Sequence, residues 1–292
     1  MSADLARSGG RPDLRLDGRV AVITGAGAGF GRACALLFAG EGARLVVADI
    51  NRDRAHRAAE QIAAEGRTAI AVQCDVSDEG AVRDLVDRAV RAYGTLDIMV
   101  NNAGIGYTAP LQEITEAQFR RMIDVNLLGV FFGCKHAMGI MKAKRSGVIL
   151  NTSSAGSFAA VPNTAAYAST KGAVNVLTRD LAVELGPYNV RVNALCSMGG
   201  MSANFVLPAD APLADEDALD DQWNPADSLY VLATPRPPKL RDNANVALFL
   251  ASDDAFWVSG VCMPIDGATT KKAAIDISRK LKSYRDLAAD NS

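Results

Sequence analysis

Short apolar, β-branched runs alternate with helix-length amphipathic stretches from Arg19 to about Arg191, and no other feature limits the fold of this chain so tightly. Each run suits a strand buried on both faces, and each stretch between runs is long enough to cross back to a parallel neighbour. The candidate strands are 20–23, 45–48, 69–73, 98–100, 148–151, 190–194 and 261–264. They predict an α/β doubly wound fold, a seven-stranded parallel sheet with helices on both faces. A ligand of such a sheet lies beyond the carboxyl ends of its strands. The 292 residues, 49% of them hydrophobic, suffice for one core of that size.

The domain boundaries follow from the same rhythm. Residues 18–268 read as one domain, 1–17 as a flexible N-terminal arm and 269–292 as a charged tail. One segment breaks the pattern: 197–241 carries Pro208, Pro212, Pro225, Pro235, Pro237 and Pro238, with acidic residues from Asp210 to Asp221. Lying between the last two strands, it is expected over the carboxyl edge as a substrate loop or lid. A net charge of −2 provides no basic field for nucleic acid. No apolar run reaches transmembrane length, and the first 18 residues lack the apolar stretch of a signal peptide, so no membrane and a cytoplasmic location are expected. The five cysteines form no CxxC pair and read as reduced thiols. His56 and His136 stand apart from other ligand types, so no metal is expected.

The first strand runs into Thr24-Gly25-Ala26-Gly27-Ala28-Gly29-Phe30-Gly31, and a helix follows at once. Glycines here permit a tight turn and close backbone approach to a pyrophosphate, which the helix N-terminus attracts with its N–H groups and dipole. This is the Rossmann arrangement, with TGxxxGxG spacing through Gly25, Gly29 and Gly31 and with Phe30 where strict GxGxxG has its last glycine. Asp49, followed by Ile50, closes the second strand, where a carboxylate can accept both hydroxyl hydrogens of an adenosine ribose. A 2′-phosphate would meet that carboxylate, and no arginine or lysine occupies the turn. NAD is therefore expected over NADP, although Arg52 and Arg54 follow closely. Asp75 and Val76, after the third strand, are candidates for the adenine edge. Asn102, Ala103 and Gly104, after the fourth, offer small residues beside a bound dinucleotide.

Tyr167 and Lys171 open a long helical run, with Ser153 and Ser154 upstream. Positions i and i+4 share a helix face, so an ammonium stands near a phenol. A free tyrosine has a pKa of about 10. A neighbouring cation is expected to lower it and make Tyr167 a usable base.

TGxxxGxG, Asn101-Asn102-Ala103-Gly104, Asn126, a serine before YxxxK, and Arg191-Val192-Asn193-Ala194 stand in order across roughly residues 16–268. The chain thereby resembles the short-chain dehydrogenase/reductase family in its common single-domain form. The resemblance implies that Tyr167 is the general acid/base and that Lys171 lowers its pKa and bonds the nicotinamide ribose. It implies that Ser154, rather than Ser153, binds the substrate oxygen, and that Asn126 holds a water in the proton path. It also implies a dimer or homotetramer, with the helix of Tyr167 and Lys171 in the subunit contacts. There is one departure. The family has Pro-Gly after the sixth strand and a threonine four residues farther, which meets the nicotinamide carboxamide. Here Ser197 and Met198 take the first two places and Ser202 the third.

Ile105, Tyr107, residues 155–163 and several apolar residues of the 197–241 segment (Met198, Met201, Phe205, Trp223, Tyr230) form the expected substrate wall. It has no arginine clamp for an anionic group. The expected substrate is a lipophilic secondary alcohol or its ketone: cyclic, terpenoid, steroid-like or aryl. Two alternatives stand beside it. One is an NADPH-dependent ketoreductase of the acyl-carrier-protein kind, against which Asp49 argues. The other is a nucleotide-sensing protein without turnover, against which the intact Tyr167 and Lys171 argue.

Overall fold

The computed structural model describes residues 14–199 and 236–271. Ser202, most of the 197–241 segment and all but the start of the tail lie outside the described residues. Leu14–Asp17, the end of the segment read as an arm, lead into the first strand, and Leu16 is buried in the core.

Seven strands form one sheet: β1 (Val20–Thr24), β2 (Arg44–Asp49), β3 (Ala69–Gln73), β4 (Ile98–Asn101), β5 (Gly147–Thr152), β6 (Val190–Ser197) and β7 (Cys262–Ile265). The order is β3-β2-β1-β4-β5-β6-β7, and every neighbouring pair is parallel. Each expected strand is present: β3 keeps its bounds, β7 lies one residue later, and the others extend by one to three residues at an end where backbone pairing outlasts the apolar run. The order turns back between β1 and β4, which opens a crevice at their carboxyl ends.

Alternation along the strands divides the core. Ala21 and Ile23 of β1 pack with α1 (Gly29–Gly40), α2 (Arg52–Ala64) and α7 (Leu240–Ala251) on one face. Val20 and Val22 pack with α3 (Glu79–Tyr93), α5 (Gly129–Lys144) and α6 (Ala165–Leu185) on the other. Successive strand residues point to opposite faces, so a strand covered on both sides must be apolar throughout.

The helix starts differ in a way that matters for the site. Asn51 caps α2 by accepting from the Arg54 N–H, Asp78 caps α3, and Thr115 with Gln118 forms a capping box on α4 (Glu116–Ile123). At α1 the cap position is Ala28, with no side-chain hydrogen bond. The N–H groups of α1 are left to other partners. Between α4 and α5 the helix widens into a π-turn, Asp124–Leu128, which carries Asn126. Such turns often mark functional positions.

Candidate active site

The glycine turn is fixed by what its residues lack. Gly25 and Gly29 have φ of +62° and +53°, which other residues adopt only with strain. A Cβ on Gly31 would come within 2.3 Å of the Gly25 carbonyl oxygen, and one on Gly25 within 2.9 Å of Ala103 Cα. Phe30 is buried in the core beneath the turn, so only its backbone faces a ligand. Asn102 holds the turn from β4: its Nδ2 donates to the carbonyls of Thr24 (2.9 Å) and Gly25 (3.2 Å). Thr24 Oγ1 in return accepts from the N–H groups of Asn102 and Ala103.

Asp49 is oriented by backbone. Its Oδ2 accepts from the Gly27 N–H (3.0 Å) and its Oδ1 from the Asn51 N–H (2.9 Å). Within the glycine run the sequence carries no separate signal for Gly27. A Cβ there would meet Asp49 Oδ2 at 2.8 Å and Arg54 Cβ at 2.6 Å, so it too must be small. The uncapped helix start, the bare turn and the aligned carboxylate together offer the backbone donors and the acceptor that a dinucleotide requires. Ile50, at the rim beside Asp49, is exposed.

Asp75 is more occupied than the sequence indicates. Its Oδ1 accepts from the N–H and hydroxyl of Ser77 (3.0 and 2.6 Å), and Oδ2 pairs with Arg121 (3.3 Å), which also donates to Ser77 Oγ. Partial burial pushes this carboxyl up, but Ser77 and Arg121 outweigh it and hold it below the usual range. Val76 packs against Gly129, where a Cβ would come within 2.8 Å of its Cγ2.

Tyr167, Lys171, Ser154 and Asn126 converge from three elements. Lys171 is 2% exposed, and its Nζ donates to the Thr152 carbonyl at the end of β5 (2.8 Å). Two of its three donors are left beyond that bond. Ser154 lies near enough to Tyr167 to draw its phenol down, and its Oγ accepts from the Gly156 N–H (3.1 Å). Ser153 donates instead to the Lys171 carbonyl (3.1 Å), which makes it a prop for α6. The amide of Asn126 is engaged at both ends. Oδ1 accepts from the Ile105 N–H (2.8 Å), and Nδ2 donates to the Ile105 carbonyl (2.9 Å) and Thr170 Oγ1. It thus pins the loop after β4 to the π-turn, a positioning task that a lone asparagine in sequence does not announce. Gly104 completes the cluster: a Cβ there would lie 3.3 Å from Asn126 Oδ1 and 3.5 Å from Lys171 Nζ.

The electrostatics correct one expectation. Burial pushes Tyr167 up to about 12, against the downward pull of Ser154, and pulls Lys171 down to about 8. Lys171 Nζ lies 5.8 Å from the centre of the Tyr167 ring and is bonded to a carbonyl. Desolvation is the largest cause at both groups. The protein by itself does not lower the tyrosine.

The two described wall segments meet where the Ala109 N–H donates to the Asn163 carbonyl (3.0 Å). Tyr107, Leu111, Phe158 and Val161 expose apolar surface along these loops.

Comparison with known proteins agrees with this geometry. The family model described as short chain dehydrogenase matches residues 19–207. Tropinone reductase-like 1 of Erythroxylum coca is 40% identical over 267 residues, which span 88% of this chain and 92% of that protein. "Borneol dehydrogenase, mitochondrial" of Lavandula x intermedia is 39% identical, spanning 88% and 92%. A solved structure of a 7α-hydroxysteroid dehydrogenase complexed with NADH and 7-oxo glycochenodeoxycholic acid superposes with a TM-score of 0.75 at 36% identity, covering 87% of this chain and 95% of that one.

Proposed function

Because the chain belongs to the short chain dehydrogenase family, whose members here are nicotinamide-dependent oxidoreductases of CH–OH groups, we propose that it interconverts a lipophilic secondary alcohol and its ketone, with NAD as cofactor and Tyr167 as acid/base. The observation that carries the reading is the Tyr167 ring beside the buried Lys171, with Ser154 near enough to draw its phenol down. The bound nicotinamide takes or gives the hydride. Tyr167 takes or gives the proton of the substrate oxygen, and Ser154 bonds that oxygen so that its carbon faces the cofactor. Lys171 directs its remaining donors to the ribose, and Asn126 fixes the loop that carries Gly104. Bound in its oxidised form, the nicotinamide would supply a positive charge, which favours the phenolate of Tyr167.

The choice of NAD draws on Asp49, whose carboxylate is held at the turn by two backbone amides. A second reading, an NADPH-dependent ketoreductase, draws on Arg54, whose Cβ lies against Gly27. Fluorescence titration with NADH and NADPH decides between them: this account expects tighter NADH binding, and a clear NADPH preference favours the second reading. The substrate class draws on the apolar mouth around Tyr107, Phe158 and Val161 and on the borneol and hydroxysteroid relatives. A panel of cyclic, terpenoid, steroid and aryl alcohols assayed with NAD tests it.

Residues 18–268 form the dehydrogenase domain in this reading, which acts as a homotetramer or dimer in the cytoplasm. Exposed Phe131 on α5 and Val176 and Val183 on α6 support association through those helices, and five free cysteines support a reducing compartment. Sedimentation equilibrium checks the first of these; a monomer at micromolar concentration contradicts it.

A further inference from the structure

Asn175 stands on α6 one helical turn beyond Lys171, which itself stands one turn beyond Tyr167. Residues four apart share a helix face, so the three lie along one side of α6. Asn175 is 4% exposed, and a buried amide is costly unless its donor and acceptor are both paired. Both are. Its Nδ2 donates to Ser157 Oγ (2.7 Å), and its Oδ1 accepts from the Cys196 thiol on β6 (3.6 Å).

Ser157 carries the link to the site. It closes the short turn Ala155–Ser157, and it meets the Ser154 carbonyl twice, with its hydroxyl at 2.5 Å and its N–H at 3.0 Å. A hydroxyl that accepts from Asn175 has its own hydrogen free for that carbonyl. The same turn orients Ser154 Oγ, which accepts from the Gly156 N–H (3.1 Å). A Cβ on Gly156 would lie 3.4 Å from that oxygen. A chain of hydrogen bonds thus runs from Cys196 through the Asn175 amide and Ser157 to the backbone of Ser154. The bond from Ser153 to the Lys171 carbonyl anchors the chain before Ser154, but it does not reach the turn that orients the Ser154 hydroxyl. Ser154 follows β5, whereas Tyr167 belongs to α6, and Asn175 ties the turn of the one to the helix of the other.

We propose that Asn175 is a positioning residue for the reaction: by holding Ser157 it fixes the turn that aims Ser154 Oγ at the substrate oxygen beside Tyr167. A small misplacement of a reacting group lowers the rate without removing the group, so the role shows in kcat rather than in cofactor binding. The inference rests on the proposed function, which gives Ser154 its contact with the substrate oxygen.

The test is a double-mutant cycle on kcat, measured with an alcohol that wild type oxidises, alongside NADH titration of each variant. Asn175→Ala and Ser157→Ala are each expected to lower kcat roughly three- to tenfold, the worth of one neutral hydrogen bond, with NADH affinity within about threefold of wild type. In the Ser154→Ala background, Asn175→Ala should change kcat by less than about twofold, because nothing is left for it to aim. An equal loss in both backgrounds indicates a general structural role and overturns the proposal, as does an unchanged kcat in Asn175→Ala or a parallel loss of NADH binding. If Asn175→Ala does not fold, Ser157→Ala breaks the same link from the loop side and takes its place in the cycle; failure of both to fold counts against the proposal. Full kcat in Ser154→Ala alone removes the role that the proposed function gives Ser154, and this inference with it, whereas additive losses overturn the inference and leave that function standing.

Discussion

The glycine turn after β1 and the pocket between β5 and α6 share one edge of one sheet, but they are built by different means. At the turn the working parts are backbone: uncapped N–H groups of α1, positive φ at Gly25 and Gly29, and a carboxylate aligned by the amides of Gly27 and Asn51. At the pocket the working parts are buried side chains, and burial drives Tyr167 and Lys171 away from their ordinary pKa values. The turn is therefore governed by steric exclusion, and the pocket by desolvation and charge. Substitutions should fail abruptly at the first and by degrees at the second.

The contrast is sharpest at Gly31. Adding even one methyl group places an atom 2.3 Å from the Gly25 carbonyl oxygen, so Gly31→Val should abolish NADH binding in a fluorescence titration, with a stability loss of about 1–3 kcal/mol or more. A variant that still bound NADH with wild-type affinity would break the steric account. The paired serines come next. Ser154→Ala should lower kcat roughly 10- to 100-fold through loss of a contact to the reacting oxygen. Ser153→Ala should keep kcat within about threefold and lose about 1 kcal/mol of stability with its bond to the Lys171 carbonyl. Steady-state kinetics and denaturant titration separate the two; the reverse pattern would exchange their roles.

A smaller effect is expected at Asp49. Asp49→Ala removes the carboxylate that a 2′-phosphate would meet, and the ratio of NADPH to NADH dissociation constants should fall by about tenfold, or about 1.4 kcal/mol. An unchanged ratio would show that Arg52 or Arg54 governs the choice. The smallest signal is spectroscopic. With Tyr167 pushed up to about 12, the phenolate difference spectrum of wild type minus Tyr167→Phe should be flat up to about pH 10 without dinucleotide. Oxidised NAD should bring the transition down by at least about one unit, because positive charge favours the phenolate. A transition already near neutral pH in the free protein would restore Lys171 as the sole cause.

The difference between the two regions also explains what the sequence made legible. Alternating apolar runs have few packing solutions, so the strands and the doubly wound class of the sheet could be read directly, while the strand order could not. Gly25, Gly31, Asn102 and Asp49 could be read because tight turns and strand ends restrict residue type. The tasks of Gly27 and Ser153 were hidden, since each depends on a partner distant in sequence: Asp49 for one, the backbone of α6 for the other. The burial that raises the Tyr167 pKa is hidden for a related reason. Spacing on a helix shows which groups are neighbours, but it does not show how deeply both are removed from water.

The central claim is that Tyr167 moves the proton, and Tyr167→Phe tests it most directly when turnover and NADH binding are measured on the same preparation with an alcohol that wild type oxidises. The account predicts a loss of kcat of roughly 100- to 10,000-fold with NADH affinity within about threefold of wild type. Full turnover by that variant would contradict it.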